Sequence, residues 1–185
     1  MDDKKWLESS HEKAVDKAAE RAAEKATERA AEKATERAAS YVNIKPRTVY
    51  QTRKYLKEKG FDPEAIDHAI SQLAEYRYLD DVQFAEMYFK YGFEKGRGVS
   101  RIKRELAEKG VSSDIIEQAY EELEDIPDQK EMAKEIAAAV IKDIDISELD
   151  YDEKRKLQAK IGRRLMSRGF SSDVVYKVIG EILNE

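Results

Sequence analysis

A short helix-ending signal occurs three times in this sequence, and it constrains the fold more than any other feature. It reads LKEKGF at 56–61, LAEKGV at 106–111 and LMSRGF at 165–170. In each copy a leucine lies four residues before a glycine, and an apolar residue follows the glycine directly. This is the pattern of a Schellman motif, in which a left-handed glycine ends a helix and the two apolar residues touch across it. Each copy therefore predicts the end of one helix and a turn into the next.

The residues downstream of each glycine repeat as well. Apolar residues lie six, ten and thirteen positions after it, which is the spacing of the buried face of a second helix. They are Ile66, Ile70 and Leu73, then Ile116, Tyr120 and Leu123, then Val175, Ile179 and Ile182. A third helix follows the first two copies, with apolar faces formed by Phe84, Tyr88 and Tyr91 and by Met132, Ile136 and Val140. The pattern predicts a tandem array of three-helix repeats.

Capping signals set the predicted helix limits. Thr48 with Gln51, and Asp150 with Glu153, fit capping boxes, and Asp62 stands before a first-turn proline. Helices are predicted at 48–59, 63–75, 81–93, 99–109, 113–124, 128–142, 151–168 and 172–183. No alternating run predicts a strand. With 41% apolar and 39% charged residues, the chain has the composition of amphipathic helices.

The first 40 residues have a different character. The stretch AAERAAEKATERAAEKATERAA at 18–39 repeats every four residues and combines the best helix former with opposite charges three positions apart. It predicts about thirty residues of helix with an alanine face. A solvated or loosely docked arm is the first interpretation, and a coiled-coil or partner-binding helix is the alternative. The predicted architecture is all-α: a long Ala-rich arm at 1–40, then an elongated array of repeats at 41–95, 96–146 and 147–185, the last cut short after two helices.

Charge alternates between the helices of each repeat. The first helix is basic, since residues 45–60 hold six Lys or Arg against one acid and residues 154–168 hold seven against none. The second is acidic, since residues 114–128 hold seven acids and no Lys or Arg. The helices either neutralise one another, or they form a basic surface for phosphates or an acidic protein groove. The second interpretation takes as contact residues Arg47, Arg53, Lys54, Arg101, Lys103, Arg104, Arg163 and Arg164.

The repeats lack two features of a DNA-reading helix-turn-helix. Such a unit usually has a small residue four positions before the turn glycine, where its helices cross closely, and every copy here has leucine. Its recognition helix would be acidic here and would be repelled by phosphate. We therefore expect weak or no sequence-specific DNA binding, and the net charge of −5 does not favour indiscriminate coating of DNA.

Three segments resemble the RecX family, bacterial regulators of the RecA recombinase. They are KPRTVYQTRKYLKEKGF, YRYLDDVQFAEMYFKY and GRGVSRIKRELAEKGV, and the likeness extends over about 43–185. The most specific blocks are Tyr78-Leu79-Asp80-Asp81 with Phe84-Ala85, and Gly98 with Arg101-Ile102 and Glu105-Leu106. The resemblance implies three tandem three-helix repeats and a protein that binds in the groove of the RecA–DNA filament and limits its growth or activity. The residues by themselves also allow a helical-repeat scaffold for an unrelated protein partner.

No residue pattern favours an enzyme. His11 lies in the arm, His68 falls off the apolar face of its helix, and Asp80-Asp81 is placed to cap a helix. The segment Gly96-Arg97-Gly98 is too short for a phosphate-binding loop and is predicted to be a flexible lead-in to the next helix. Neither a metal nor a cofactor is expected, and the absence of cysteine excludes a thiolate site.

The tyrosines and the ends of the chain complete the sequence-based expectations. Tyr88, Tyr91 and Tyr120 are predicted to be core residues, whereas Tyr50 and Tyr55 are candidate surface contacts on the basic first helix. No stretch has the length of an apolar membrane span, and the N-terminus lacks the pattern of a signal peptide. A cytoplasmic monomer is expected.

Overall fold

The computed structural model describes the backbone of residues 3–184 and the side chains of residues 16–183, and within this range every regular element is helical. The chain forms two compact units, Met1–Asp80 and Asp81–Glu185. The first contains α1 (Asp3–Ile44), α2 (Val49–Glu58) and α3 (Pro63–Glu75). The second contains α4 (Asp81–Glu94), α5 (Val99–Glu108), α6 (Ser113–Glu121), α7 (Gln129–Ile141), a 3₁₀ turn (Ile146–Glu148), α8 (Tyr151–Arg168) and α9 (Ser172–Asn184). The all-α prediction is confirmed.

The three repeated signals end helices in the predicted way. Gly60, Gly110 and Gly169 have left-handed φ angles of +82°, +84° and +89°. The N–H of Phe61 donates to the carbonyl of Leu56 at 3.3 Å, and the N–H of Gly60 donates to that of Lys57 at 3.0 Å. The same pair of bonds recurs at the other two glycines. These are the two bonds of a Schellman motif, so the three helix ends are confirmed. We call Gly60, Gly110 and Gly169 the turn glycines.

Helix starts also follow the capping signals. Thr48 and Asp150 each form a reciprocal capping box, with Gln51 and Glu153 respectively, and the Asp62 side chain accepts from the N–H of Ala65. The helix α6 is three residues shorter than predicted, since it ends at Glu121 rather than at residue 124. Its last residue, Glu121, and its C-cap, Glu122, are acidic and lie at the negative end of the helix dipole, which disfavours a further turn.

Three buried clusters organise the helices into three bundles. Bundle 1 joins the end of α1 to α2 and α3, with Ala34, Ala38 and Leu56 fully buried. Bundle 2 joins α4, α5 and α6 around Phe89, Ile102 and Leu106. Bundle 3 joins α7, α8 and α9 around Ile161, Leu165 and Val178. Each bundle contains a pair of helices joined at a turn glycine and one further helix, which we call the accompanying helix. In all three bundles the accompanying helix precedes the pair in the chain.

This grouping differs from the predicted limits 41–95, 96–146 and 147–185, which place the accompanying helix after the pair. The buried residues of α4 are Ala85, Phe89 and Gly92 rather than Phe84, Tyr88 and Tyr91, and Tyr91 is 46% exposed. A Cβ on Gly92 would lie 2.6 Å from Ile102 Cδ1, so α4 fits closely against α5. The third pair has its own accompanying helix, α7, where the sequence pattern predicts a repeat of two helices.

The alanine-rich helix α1 divides into two parts. It passes the predicted limit at residue 40 and reaches Ile44, and Ala31, Ala34 and Ala38 are buried in bundle 1 against α3. The facing helix also contributes small side chains, including Ala65 and Ala69, so the two helices pack closely. Residues 16–29 are all exposed. The alanine face therefore docks only where α3 covers it.

Candidate partner-binding surface

The turn glycines give a common register in which the three bundles can be compared. We number positions from the turn glycine, so that position −7 is seven residues before it. Position −7 holds Arg53, Lys103 and Gly162. Position −6 holds Lys54, Arg104 and Arg163. These two positions contain five of the eight predicted contact residues, and they have different surroundings.

The cations at position −7 form ion pairs within their own bundles. Arg53 Nη1 lies 2.5 Å from Asp67 Oδ1, and Lys103 Nζ pairs with Glu117. Both carboxylates lie at position +7, on the acidic helix after the turn. Lys103 Nζ also lies 4.6 Å from the ring centroid of Tyr120. At this position the basic and acidic helices of bundles 1 and 2 neutralise one another.

The cations at position −6 face solvent. Lys54, Arg104 and Arg163 are exposed, and among the described residues none of them has an ion pair or a hydrogen bond. An exposed cation without an intramolecular partner can bind an anionic group without breaking an existing pair. All three bundles therefore present one available cation at the same register position.

Arg101 belongs to a network inside the second unit. Its Nε donates to Glu105 Oε1 at 2.8 Å, and its Nη1 donates to the carbonyl of Ser167 at 3.3 Å. The second carboxylate oxygen of Glu105 accepts from Arg97 Nη1 at 2.8 Å and from the Tyr88 hydroxyl at 3.0 Å. Arg101 thus connects α5 to the end of α8.

This network shifts the pKa of two of its members. Burial, followed by the hydrogen bond to Glu105 and its charge, raises the pKa of Tyr88, so its hydroxyl stays a donor. Burial opposes ionisation of Glu105, but hydrogen bonds from Arg101 and Tyr88 and the charges of Arg97 and Arg101 outweigh it and lower the pKa of that carboxyl. Glu105 is consequently a stable anion between two arginines.

Arg47 lies in an aromatic stack of bundle 1. Its guanidinium is 4.2 Å from the ring centroid of Tyr41, and that ring stacks on Tyr55 at 3.9 Å with an angle of 5°. Lys59 Nζ lies 5.4 Å from the other ring of the pair. The Nε of Arg47 is buried and has no hydrogen-bond partner among the described residues. Tyr55, predicted as a surface contact, is instead packed in this stack, whereas Tyr50 is 52% exposed as expected.

The segment Gly96-Arg97-Gly98, predicted as a flexible lead-in, is a close packing contact. The N–H of Gly98 donates to the carbonyl of Arg168 at 2.8 Å, and Arg168 Nη1 donates back to the carbonyl of Lys95 at 2.8 Å. A Cβ on Gly98 would lie 2.3 Å from the carbonyl oxygen of Gly169. This contact joins bundles 2 and 3, and the only sign of it in the sequence is the pair of closely spaced glycines.

Arg163 and Arg164 lie at a groove between α7 and α8. Both are exposed, and with Lys160 and Arg168 they line an open groove of about 740 Å³. The opposite wall consists of three apolar residues, Ile136, Ala139 and Val140, and of Glu135. The groove can accept a partner that carries both an apolar and an anionic group.

The residues considered for catalysis have unremarkable surroundings. His68 is exposed beside α1, and His11 lies outside the described side chains. Within the described residues no group of three or more His, Asp or Glu is placed to hold a metal ion. No helix in that part of the chain is long and apolar enough to cross a membrane.

Comparison with known proteins places these bundles in one family. Models of the first, second and third three-helix domains of RecX match residues 34–73, 80–119 and 145–179. The regulatory protein RecX of Haemophilus influenzae strain PittEE is 35% identical over 150 residues, which is 78% of this chain and 93% of that protein. The RecX protein of Listeria welshimeri is 35% identical over 147 residues, and the match spans 79% of this chain but only 52% of the relative. The RecX protein of Clostridium botulinum strain Alaska E43 is 36% identical over 138 residues, and the match spans 75% of this chain and 63% of that protein.

Solved structures agree with the sequence comparison. The crystal structure of RecX from Lactobacillus salivarius is similar with a TM-score of 0.71 and 25% identity, covering 84% of this chain and 97% of that one. A second crystal structure of a regulatory protein RecX is similar with a TM-score of 0.68, also at 25% identity, over 86% of this chain and 73% of the other. The chain therefore belongs to the RecX family of regulatory proteins.

Proposed function

We propose that this protein regulates the RecA recombinase: it binds within the groove of the RecA–DNA filament and limits the growth or activity of that filament in recombination and DNA repair. The observation that carries the proposal is the available cation at position −6 of each bundle, Lys54, Arg104 and Arg163. The proposal includes action as a monomer in the cytoplasm.

A filament is a suitable partner for repeated bundles because it repeats its own surface. One binding position used three times in a chain can meet equivalent anionic groups on successive subunits or on the phosphates of the bound DNA. Arg53 and Lys103 are less suited to this role because each would first have to leave its carboxylate partner. The proposal therefore assigns the main contacts to position −6.

Sequence-specific reading of DNA bases forms no part of the proposed function. The leucines four residues before the turn glycines, Leu56, Leu106 and Leu165, are fully buried and fill the bundle cores. The helix after each turn is acidic in the first two bundles, so it would be repelled from a major groove. The proposed contacts with DNA are contacts with its backbone, in the context of the filament.

The experiment that tests the proposal is a titration of RecA's ATP hydrolysis on single-stranded DNA with this protein, at two salt concentrations. We expect ATP hydrolysis to fall at substoichiometric protein, and to fall less at the higher salt because contacts with phosphates release counterions. Unchanged hydrolysis, together with no co-sedimentation with the filament, would contradict the proposal. That result would favour a helical-repeat scaffold for another protein.

A further inference from the structure

Bundle 3 departs from the other two bundles at one pair of register positions. In bundles 1 and 2 a cation at position −7 pairs with a carboxylate at position +7. In bundle 3 these positions hold Gly162 and Tyr176. Tyr176 is 70% exposed. An aromatic ring therefore stands at the surface where the other bundles are closed by an ion pair.

Packing within the protein does not require the glycine at position 162. A Cβ there would lie 3.6 Å from Ile179 Cδ1, which is an ordinary van der Waals distance. Gly92 is different, because its Cβ would overlap Ile102 at 2.6 Å. Glycine destabilises the interior of a helix relative to alanine, so Gly162 carries a cost that no internal contact explains. Its effect is to leave the backbone of α8 open to close approach from outside.

The surroundings of this pair are mainly cationic. Arg155 lies two turns before Gly162 on the same side of α8. Arg163 and Lys177 come directly after Gly162 and Tyr176 in sequence, about 100° further round their helices, and like Arg155 they are exposed. Two exposed acids are also near: Asp173, one turn before Tyr176 on α9, and Asp152, one turn before Arg155 on α8. Residues 154–168 as a whole contain seven basic residues and no acid. This positive charge would attract a phosphate backbone and would repel a basic partner.

We infer that Tyr176 is a stacking platform for a base of a single-stranded nucleic acid, with the strand's phosphates held by Arg155, Arg163 and Lys177. Exposed aromatic rings in a basic setting bind single strands in this way, because every base offers a face for stacking. A duplex does not fit the site, since its bases are already stacked on one another. The inference deepens the proposed function and rests on it for the source of the strand, the DNA of the filament.

The test measures base stacking directly and contains no RecA. Fluorescence anisotropy at low salt compares a fluorescein-labelled 20-nucleotide oligothymidylate with a labelled strand of the same length made of abasic sites. We expect the protein to bind the thymidine strand at least about 5-fold more tightly, because only that strand can stack. Tyr176→Ala should weaken binding of the thymidine strand about 5- to 100-fold and leave the abasic strand unchanged. Tyr176→Phe should bind like the parent protein.

Two further variants serve as controls. Tyr151 is 82% exposed in the same bundle, so Tyr151→Ala should leave both affinities unchanged. The double variant Gly162→Lys with Tyr176→Glu imports the ion pair of bundle 2 at constant net charge. Its thermal midpoint should equal or exceed that of the parent protein, because the variant removes a glycine from the interior of α8, and it should bind both strands equally.

The outcomes separate this inference from the proposed function. Equal affinity of the parent protein for the two strands, or full discrimination by Tyr176→Ala, would overturn the stacking inference. If Tyr176→Ala instead reduced the inhibition of RecA without any effect on strand binding, the ring would contact protein, and the inference would again fail while the proposed function stood. Discrimination between strands by a protein that has no effect on RecA would support the platform and contradict the proposed function.

Discussion

Arg77 has the only positive φ among the described residues other than glycine, at +57°. It occupies the place of a turn glycine after α3: its N–H donates to the carbonyl of Ala74 at 3.0 Å, and the N–H of Tyr78 donates to that of Leu73 at 2.8 Å. Its side chain is exposed, and no hydrogen bond or ion pair holds it within the described part of the chain. The left-handed conformation therefore destabilises the protein here without a compensating side-chain contact.

Arg77→Gly should stabilise the first unit by about 0.5–1 kcal/mol, because glycine removes the steric penalty while losing some conformational entropy. Gly60→Ala is the matched opposite change in the same unit. Gly60 has φ +82° and no atom within 4 Å of its Cβ direction, so only backbone strain should act, and we expect a loss of about 1 kcal/mol. Urea unfolding followed by circular dichroism measures both. A loss of stability in Arg77→Gly would show that the side chain has a structural role.

Glu105 makes the stability of the second unit depend on acid. Because its folded-state pKa lies below the ordinary value of 4.5, its contribution is present above that pH and is lost as the pH falls through the folded-state value. Glu105→Gln should therefore reduce stability at pH 7 and flatten the decline of stability below about pH 4.5. Thermal midpoints from pH 3 to pH 7 test this. Glu108→Gln, an exposed change in the same helix, should retain the decline, and an equal flattening there would contradict the assignment.

At the scale of elements, the contact between the start of α5 and the turn from α8 into α9 joins two bundles. Gly169 is left-handed, like Gly60, but it also lies directly against α5: its Cβ would be 2.2 Å from the Cβ of Arg101 and 2.5 Å from the backbone nitrogen of that residue. Backbone atoms cannot move aside as a flexible side chain can. Gly169 is therefore constrained both by its left-handed backbone and by the close contact with α5, whereas Gly60 is constrained by its backbone alone.

Gly169→Ala should accordingly cost roughly 2–4 kcal/mol, more than Gly60→Ala, because overpacking adds to backbone strain. The measurement is the urea midpoint of each variant. We also expect amide exchange of Gly98, whose N–H bonds to the carbonyl of Arg168, to accelerate in Gly169→Ala. Equal losses of unfolding free energy in Gly169→Ala and Gly60→Ala would show that α5 moves away from the added methyl group without loss of stability.

Local signals explain why the helices were predictable and their partners were not. Caps such as Thr48 and Asp62 and the turn glycines act through neighbours within a few residues, so the sequence shows them directly. Whether a pair packs against the helix before it or the helix after it depends on which helix face fits closely against the pair. The sequence pattern of α4 predicts a buried face that includes Tyr91, whereas the buried residue there is Gly92. For the candidate site, the basic helices were predictable. The division between paired Arg53 and available Lys54 was not, because it depends on a carboxylate fourteen residues away in sequence.

At the scale of the whole molecule, the three bundles share an exposed cation at position −6 but differ at positions −7 and +7. The pair at positions −7 and +7 closes the surface in bundles 1 and 2, whereas bundle 3 is open there. Position −6 is cationic and exposed throughout. A chain built this way can combine a common anionic contact, used three times, with a distinct contact in its last bundle. Multivalent contacts of this kind add their free energies when one partner can engage all of them.

The triple variant Lys54→Glu, Arg104→Glu, Arg163→Glu tests that common contact. Each exposed contact is worth little alone, about 0.2–1 kcal/mol, but three reversals turn attraction into repulsion and should weaken filament binding by at least about tenfold. Helix content should not change, since none of the three residues has a partner among the described residues. The readout is the protein concentration needed for half-inhibition of RecA's ATP hydrolysis.

A control of equal charge change makes this result interpretable. Lys25→Glu, Lys90→Glu, Lys142→Glu alters three exposed lysines outside position −6 and lowers the net charge by the same amount. It should lose only the general electrostatic attraction, and its deficit should vanish faster with salt. A triple variant confined to α5, Arg101→Glu, Lys103→Glu, Arg104→Glu, would be a poorer test. Arg101 and Lys103 pair with Glu105 and Glu117, so that variant would disturb the fold as well as the surface. If the position −6 triple variant and the Lys25, Lys90, Lys142 control variant inhibited RecA equally, binding would depend on the net charge of the protein and not on the cations at position −6.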